Sequence, residues 1–291
     1  IITTDSEHPG VESAMKALET QGFEVIRIRT RGGELDWEQY DEALGSRVFL
    51  VSMMMVNNET GALYDVGRAF SMAKARNPDI VTHTDAVQGY LKGRWTPGAL
   101  SADLVTLSAH KIHAPKGVGA LYVSPEALRR RDIVPCLLGG GQEAGFRSGT
   151  ENLIGIAGFG QAAEEGYTQL SANIEAMQAL RAQAIALLGE LPVTLNLPSG
   201  RCAPHILNFT LPGIRSETML HELSRNGICV SNGSACSSHH AHPSTALIAF
   251  GLTPEQAGCS IRVSFSASNT PQEVTALAER LRDAIGRLVR A

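Results

Sequence analysis

The chain has 291 residues, 43% apolar and 19% charged, which suits one large domain or two ordinary ones and is a poor composition for a disordered protein. Lys plus Arg number 25 against 29 for Asp plus Glu, a net charge of −4, and Arg129-Arg130-Arg131 is the one basic block, so neither nucleic acid nor an anionic membrane is an expected partner. The longest strongly apolar stretch, residues 48–56, contains Ser52 and falls far short of the roughly 20 residues a bilayer span needs.

A soluble protein of the cytoplasm is the expectation, because five cysteines (136, 202, 229, 236 and 259) with no CxxC pair suit a reducing compartment. The first residue is Ile1, and residues 1–7 enter a polar-apolar pattern with no capping or linker composition, as though the chain began inside a domain.

From there, short β-branched runs alternate with segments of helical period, which predicts an α/β fold with a mostly parallel sheet. Helices are expected over 11–21, 37–44 and 66–76, and strands over 23–28, 48–55, 80–84, 104–108 and 118–123, the strands apolar enough to be buried on both faces. A Gly-rich stretch, 138–150, ends a large first domain (1–150). Residues 151–191 contain no Pro and repeat apolar residues at helical spacing, so one long connecting helix bent at Gly166 is the economical reading. A smaller α+β domain (192–291) follows, with strands over 205–211, 229–231 and 260–266. Its last helix is well signalled: Thr270 as N-cap, Pro271 at the first position, Glu273 closing a capping box, then Val274, Leu277, Leu281, Ile285 and Leu288 on one face.

The strand over 80–84 delivers Asp85 and then Gln88, and the next delivers Ser108, His110 and Lys111; in parallel sheets the C-terminal edge is where ligands bind. An acid to pair a ring nitrogen, an amine to hold an aldehyde and short polar groups for a phosphate are the equipment of a pyridoxal phosphate site. Of the five lysines, Lys16, Lys74 and Lys92 read as surface charges, and Lys111 is favoured over Lys116. Cys236 lies in a run of small polar residues, 231–238, suited to a mobile loop, whereas Cys136, Cys202, Cys229 and Cys259 read as packing residues. His239, His240 and His242 follow Cys236 at a spacing that matches no common structural zinc site, so no metal is expected.

Ser108-Ala109-His110-Lys111 with Pro115-Lys116-Gly117 resembles the cofactor-lysine segment of the cysteine desulfurases, fold-type I pyridoxal phosphate enzymes. The resemblance extends to Glu7-His8, Val56-Asn57-Asn58-Glu59-Thr60-Gly61, His83-Thr84-Asp85-Ala86-Val87-Gln88, Gly139-Gly140-Gly141-Gln142-Glu143, Arg147-Ser148-Gly149-Thr150-Glu151-Asn152, Ser231-Asn232-Gly233-Ser234-Ala235-Cys236-Ser237 and Ser260-Ile261-Arg262-Val263-Ser264. It looks most like the branch that supplies sulfur for iron–sulfur clusters and tRNA thiolation.

What the resemblance implies is specific. His8 stacks on the cofactor ring and helps move protons, Asn58 and Gln88 meet its phenolic oxygen, and Asp85 pairs with the ring nitrogen. Ser108 and His110 bind the phosphate, and Thr150 reaches the phosphate of a neighbouring subunit, so a homodimer is implied. Lys111 tethers the cofactor, Arg262 grips the substrate carboxylate, and Cys236 takes sulfur from L-cysteine as a persulfide for an acceptor protein, an iron–sulfur scaffold or a tRNA-thiolation relay. The family's longer N-terminal segment, with a phosphate loop opening a helix, has no counterpart here, which implies a fragment or a truncated paralogue with weak cofactor binding and exposed apolar surface. A selenocysteine lyase, a cysteine sulfinate desulfinase, a class V aminotransferase or a non-catalytic partner-binding paralogue are the competing readings.

Overall fold

The computed structural model describes residues 1–232 and 243–288. In chain order these form β1 (Ile2–Thr4), α1 (Pro9–Thr20), β2 (Ile26–Ile28), α2 (Trp37–Ala43), β3 (Leu50–Met54), α3 (Val66–Arg76), β4 (Val81–Asp85), β5 (Leu104–Ser108), β6 (Gly119–Val123), α4 (Pro125–Arg130) and α5 (Leu153–Thr168). They continue with α6 (Leu170–Leu188), β7 (Thr194–Leu195), β8 (Ile206–Thr210), α7 (Ser216–Ser224), β9 (Ser231–Asn232), α8 (Thr245–Phe250), α9 (Pro254–Gly258), β10 (Ser260–Ser264) and α10 (Pro271–Leu288). The chain divides into two units, the first made of Ile1–Ile2, Asp41–Met55 and Asp65–Leu170, the second of Thr3–Tyr40, Val56–Tyr64 and Ser171–Ala291.

In the first unit β3, β4 and β5 run parallel, with Ser52 opposite His83 and Asp85 opposite Thr106. Ile2 pairs with Val51 on the other flank of β3. The expected mostly parallel sheet is therefore present, and β6 is its exception: it returns antiparallel along β5, placing Gly119 opposite Ser108. Burial departs from the expectation of strands covered on both faces. β3 is buried from Val51 to Met54, but β4 alternates, with Thr82 and Thr84 buried and Val81, His83 and Asp85 on the more open face. β6 carries exposed Leu121, and Leu138 and Ile154 are each more than 80% exposed.

α3 spans the expected residues because Asp65 caps it, accepting from the Arg68 amide at 3.1 Å, and Ala69, Phe70 and Ala73 form its buried stripe. The region read as one long helix is two. α5 ends at Gln169, whose φ of −97° and ψ of 8° leave the helical range, and α6 starts at Leu170. Gly166 is not the bend: it lies inside α5, where a Cβ would stand 2.6 Å from Cδ1 of Leu91, so its role is close packing.

The second unit holds a sheet in the order β7-β8-β10-β9, antiparallel throughout. Leu207 and Phe209 of β8, Ile261 and Val263 of β10, Leu180 and Leu188 of α6, Met219 of α7, and Leu277 and Leu281 of α10 make its core. Each such buried side chain contributes on the order of 1.5–3 kcal/mol. The capping box predicted for α10 is formed: Glu273 N donates to Thr270 Oγ1 at 3.3 Å, and Thr270 N donates to Glu273 Oε2 at 2.7 Å. β1 and the short β7 lie in segments where no strand was expected.

Candidate active site

The first unit assembles one group of the predicted residues by strand order alone. Asp85 is the last residue of β4, and Val87 N donates to its Oδ1 at 2.9 Å, which fixes the carboxylate at the strand end. Ser108 ends the neighbouring parallel strand, and the chain then turns through a 3₁₀ helix, Ala109–Ile112, that carries His110 and Lys111. Ser108 Oγ and His110 Nδ1 share a hydrogen bond of 2.8 Å. Gly119 matters here because a Cβ on it would stand 2.6 Å from the Leu107 carbonyl oxygen; without one, β6 lies close against β5 beside Ser108.

His110 has its pKa lowered by burial and then by the positive charges of Lys111 and Lys116. Lys111 and Lys116 both act on His110, and cations gathered around one imidazole are the arrangement that a phosphate dianion relieves. Gln88 is half-buried in the turn that follows β4, while Thr150 is exposed, its carbonyl accepting from Arg147 Nη1 at 3.4 Å.

The sequence motif also contained a residue to which no role was assigned. His83, two residues before Asp85 on the same face of β4, has Nδ1 2.8 Å from Ser52 Oγ and Nε2 2.8 Å from Thr106 Oγ1. Burial holds its pKa down at about 4, so at neutral pH the ring is uncharged and bridges β3, β4 and β5.

The second unit carries His8, Asn58 and Arg262. His8 is the N-cap of α1, its Nδ1 accepting from Gly10 N at 3.1 Å, so in the neutral ring the proton sits on Nε2. Arg262 lies on β10, with Asn208 of β8 and Ser231 of β9 opposite it. Its Nη1 donates to the Asn58 carbonyl at 2.9 Å and its Nη2 to Ser231 Oγ at 3.2 Å. The guanidinium, on an inner strand, is thus oriented by a backbone carbonyl and a hydroxyl. Neighbouring Asn57 organises the loop: its Oδ1 accepts from Glu59 N, Thr60 N and Thr60 Oγ1 at 2.9, 2.9 and 3.1 Å.

Cys236, His239, His240 and His242 lie outside the described residues. Of the other cysteines, Cys259 is buried as a packing residue should be, but Cys136 and Cys229 are exposed and Cys202 is half-buried. The packing reading fails for the exposed pair because their local apolar neighbours in sequence are not folded over them. The donor set of the first unit fits pyridoxal phosphate: a carboxylate for a protonated ring nitrogen, a primary amine for the aldehyde, and a hydroxyl with an imidazole for the phosphate.

Comparison with known proteins gives one answer. The family model described as "Aminotransferase class-V" matches residues 1–277. A cysteine desulfurase of Trichormus azollae is 38% identical over 99% of this chain and 71% of its own length. The cysteine desulfurase IscS of Clostridium botulinum (strain Hall) is 36% identical over 97% of this chain and 70% of its own. A solved structure titled "NIFS-LIKE PROTEIN" superposes with a TM-score of 0.90 at 33% identity, covering 98% of this chain and 74% of that one.

Proposed function

Because this chain belongs to the aminotransferase class-V family, we propose that it is a pyridoxal-phosphate-dependent cysteine desulfurase, which removes sulfur from L-cysteine, releases L-alanine and carries the sulfur on Cys236. The observation that carries the reading is the delivery of Asp85, Ser108 and Lys111 to one edge of adjacent parallel strands in a chain that matches cysteine desulfurases over nearly its whole length.

When bound, the cofactor supplies an electron sink that weakens the Cα–H and Cβ–S bonds of the amino acid attached to it. Asp85 would keep the ring nitrogen protonated, and Asn58, Gln88 and His8 would help to hold the ring. Ser108 and His110 hold the phosphate. Lys111 would hold the cofactor through its amine and, once released by substrate, would move the α-proton. Arg262 binds the substrate carboxylate. The Cys236 thiolate attacks the substrate sulfur, the Cβ–S electron pair stays on carbon, and that carbon takes up a proton. L-cysteine and a thiol thereby become L-alanine and a persulfide, with no outside oxidant or reductant.

The working form is a cytoplasmic homodimer in which Thr150 meets the neighbouring subunit's phosphate. Its persulfide passes to an acceptor protein, an iron–sulfur scaffold or a tRNA-thiolation relay. No helix among the described residues is long and apolar enough to cross a membrane. Two variants test the division of labour. Cys236→Ser retains the cofactor's visible absorbance and forms no persulfide, while Lys111→Ala loses that absorbance; persulfide on the Cys236→Ser protein refutes the assignment.

A further inference from the structure

The loop that carries Asn58 is hung on the second unit's sheet by two consecutive carbonyls. Arg262 Nη1 donates to the Asn58 carbonyl at 2.9 Å, and Asn208 Nδ2, from the residue opposite Arg262 on β8, donates to the Glu59 carbonyl at 3.2 Å. The Asn208 amide cannot be turned round, because its Oδ1 accepts from Asn196 Nδ2 at 2.6 Å. With the Glu59 amide taken by Asn57 Oδ1, the backbone of residue 59 is held on both sides.

Its side chain is then committed to a dry place. Glu59 is 7% exposed, and its carboxyl bonds the hydroxyl of Ser244, the N-cap of α8, whose Oγ also accepts from Leu247 N at 3.2 Å. The other carboxyl oxygen, Oε2, is buried with no hydrogen-bond partner among the described residues. Arg262 is the one charge that acts on this carboxyl among those residues; Asn208 of β8, Ser231 of β9 and Ser244 are neutral. Burial outweighs both Ser244 and Arg262 and pushes the Glu59 pKa up to about 7. The chain has therefore put a group that changes charge near neutrality within electrostatic reach of the guanidinium to which the substrate carboxylate is assigned.

Two carboxylates and one arginine compete. An ionised Glu59 already draws on the Arg262 charge and repels a second anion, while a protonated Glu59 leaves that charge to the incoming group. Resting on the carboxylate-binding role given to Arg262 above, we propose that Glu59 is a positioning residue that couples amino-acid binding at Arg262 to uptake of a proton on its own carboxyl. By linkage, the anion that raises the proton affinity of Glu59 is bound more tightly by the same factor when Glu59 is protonated.

The test compares the holoenzyme with its Glu59→Gln and Glu59→Asp variants, measuring KM for L-cysteine from about pH 6 to about pH 8.5, an interval that brackets the Glu59 titration. Titrations that the substitutions leave untouched, the substrate's own among them, are common to all forms and cancel in the comparison. Expected is a wild-type KM that climbs about fivefold or more relative to Glu59→Gln across this range, with Glu59→Asp retaining part of the climb. An infrared band of a protonated buried carboxyl, strengthened by L-alanine and missing from Glu59→Gln, is the second readout.

Arg262→Gln separates the two ideas. If it raises KM at every pH while wild type and Glu59→Gln keep parallel profiles, the proton coupling is overturned and the arginine's role stands. If Arg262→Gln leaves KM unchanged, the carboxylate-binding reading is overturned and the coupling with it.

Discussion

The neutral His83 makes acid stability a direct test of the first unit's architecture. Its ordinary pKa is 6.5 and its folded value about 4, so between those limits the unfolded chain binds a proton that the folded chain refuses. At about 1.36 kcal/mol per pH unit the gap corresponds to about 3 kcal/mol, and the partial exposure of the ring trims this to about 2 kcal/mol. The stabilisation is complete above pH 6.5 and is lost as the pH falls towards 4. Glu59 acts with the opposite sign, because its folded pKa of about 7 lies above its unfolded 4.5 and stability is lost as the pH rises through that interval. A wild-type profile alone therefore mixes two slopes. His83→Asn keeps a neutral polar group between Ser52 and Thr106 and leaves Glu59 in place, so the difference between the two proteins isolates the imidazole. Urea midpoints at about pH 7 and about pH 4.5 should show wild type losing about 2 kcal/mol more than the variant on acidification. Parallel losses in the two proteins, or a His83 that titrates near 6.5 by NMR, would refute the buried neutral bridge.

Two further predictions concern charges in the same unit. Asp103 is buried, where burial alone would raise its pKa, yet its bonds with Lys74, Thr82 and Ser124 outweigh that and hold the pKa below the ordinary value. Asp103→Asn leaves Lys74 without its carboxylate and should lower stability by about 3 kcal/mol in chemical denaturation; a loss under about 1 kcal/mol would mean the network relaxes into solvent. At the candidate phosphate site, titration with pyridoxal phosphate should raise the His110 pKa followed by NMR, since a dianion offsets the Lys111 and Lys116 charges that depress it. An unmoved or lowered value would place the phosphate elsewhere.

What was legible in the sequence follows from the range of the forces involved. α3 and β5 were read to the residue because apolar residues at helical period, and a short β-branched run, are local signals. β1, three residues long, offers too little pattern to detect, and the antiparallel sense of β6 is set by the short connection from β5 rather than by its composition. The long helix was divided at Gln169 rather than Gly166, because the glycine answers to Leu91, 75 residues earlier, and its sequence neighbours carry no trace of that contact.

The site divides along the same line. Asp85, Ser108, His110 and Lys111 could be placed at a strand edge from local pattern, since strand ends and the turn after them are adjacent in sequence. The state of charge of His83 and Glu59 could not, although both stood in quoted motifs. It depends on how much protein surrounds each group and on partners such as Ser244 and Arg262, roughly 200 residues away from Glu59. Local pattern therefore names candidate groups for a ligand, while the charge states of His83 and Glu59 are found only once the chain is folded around them.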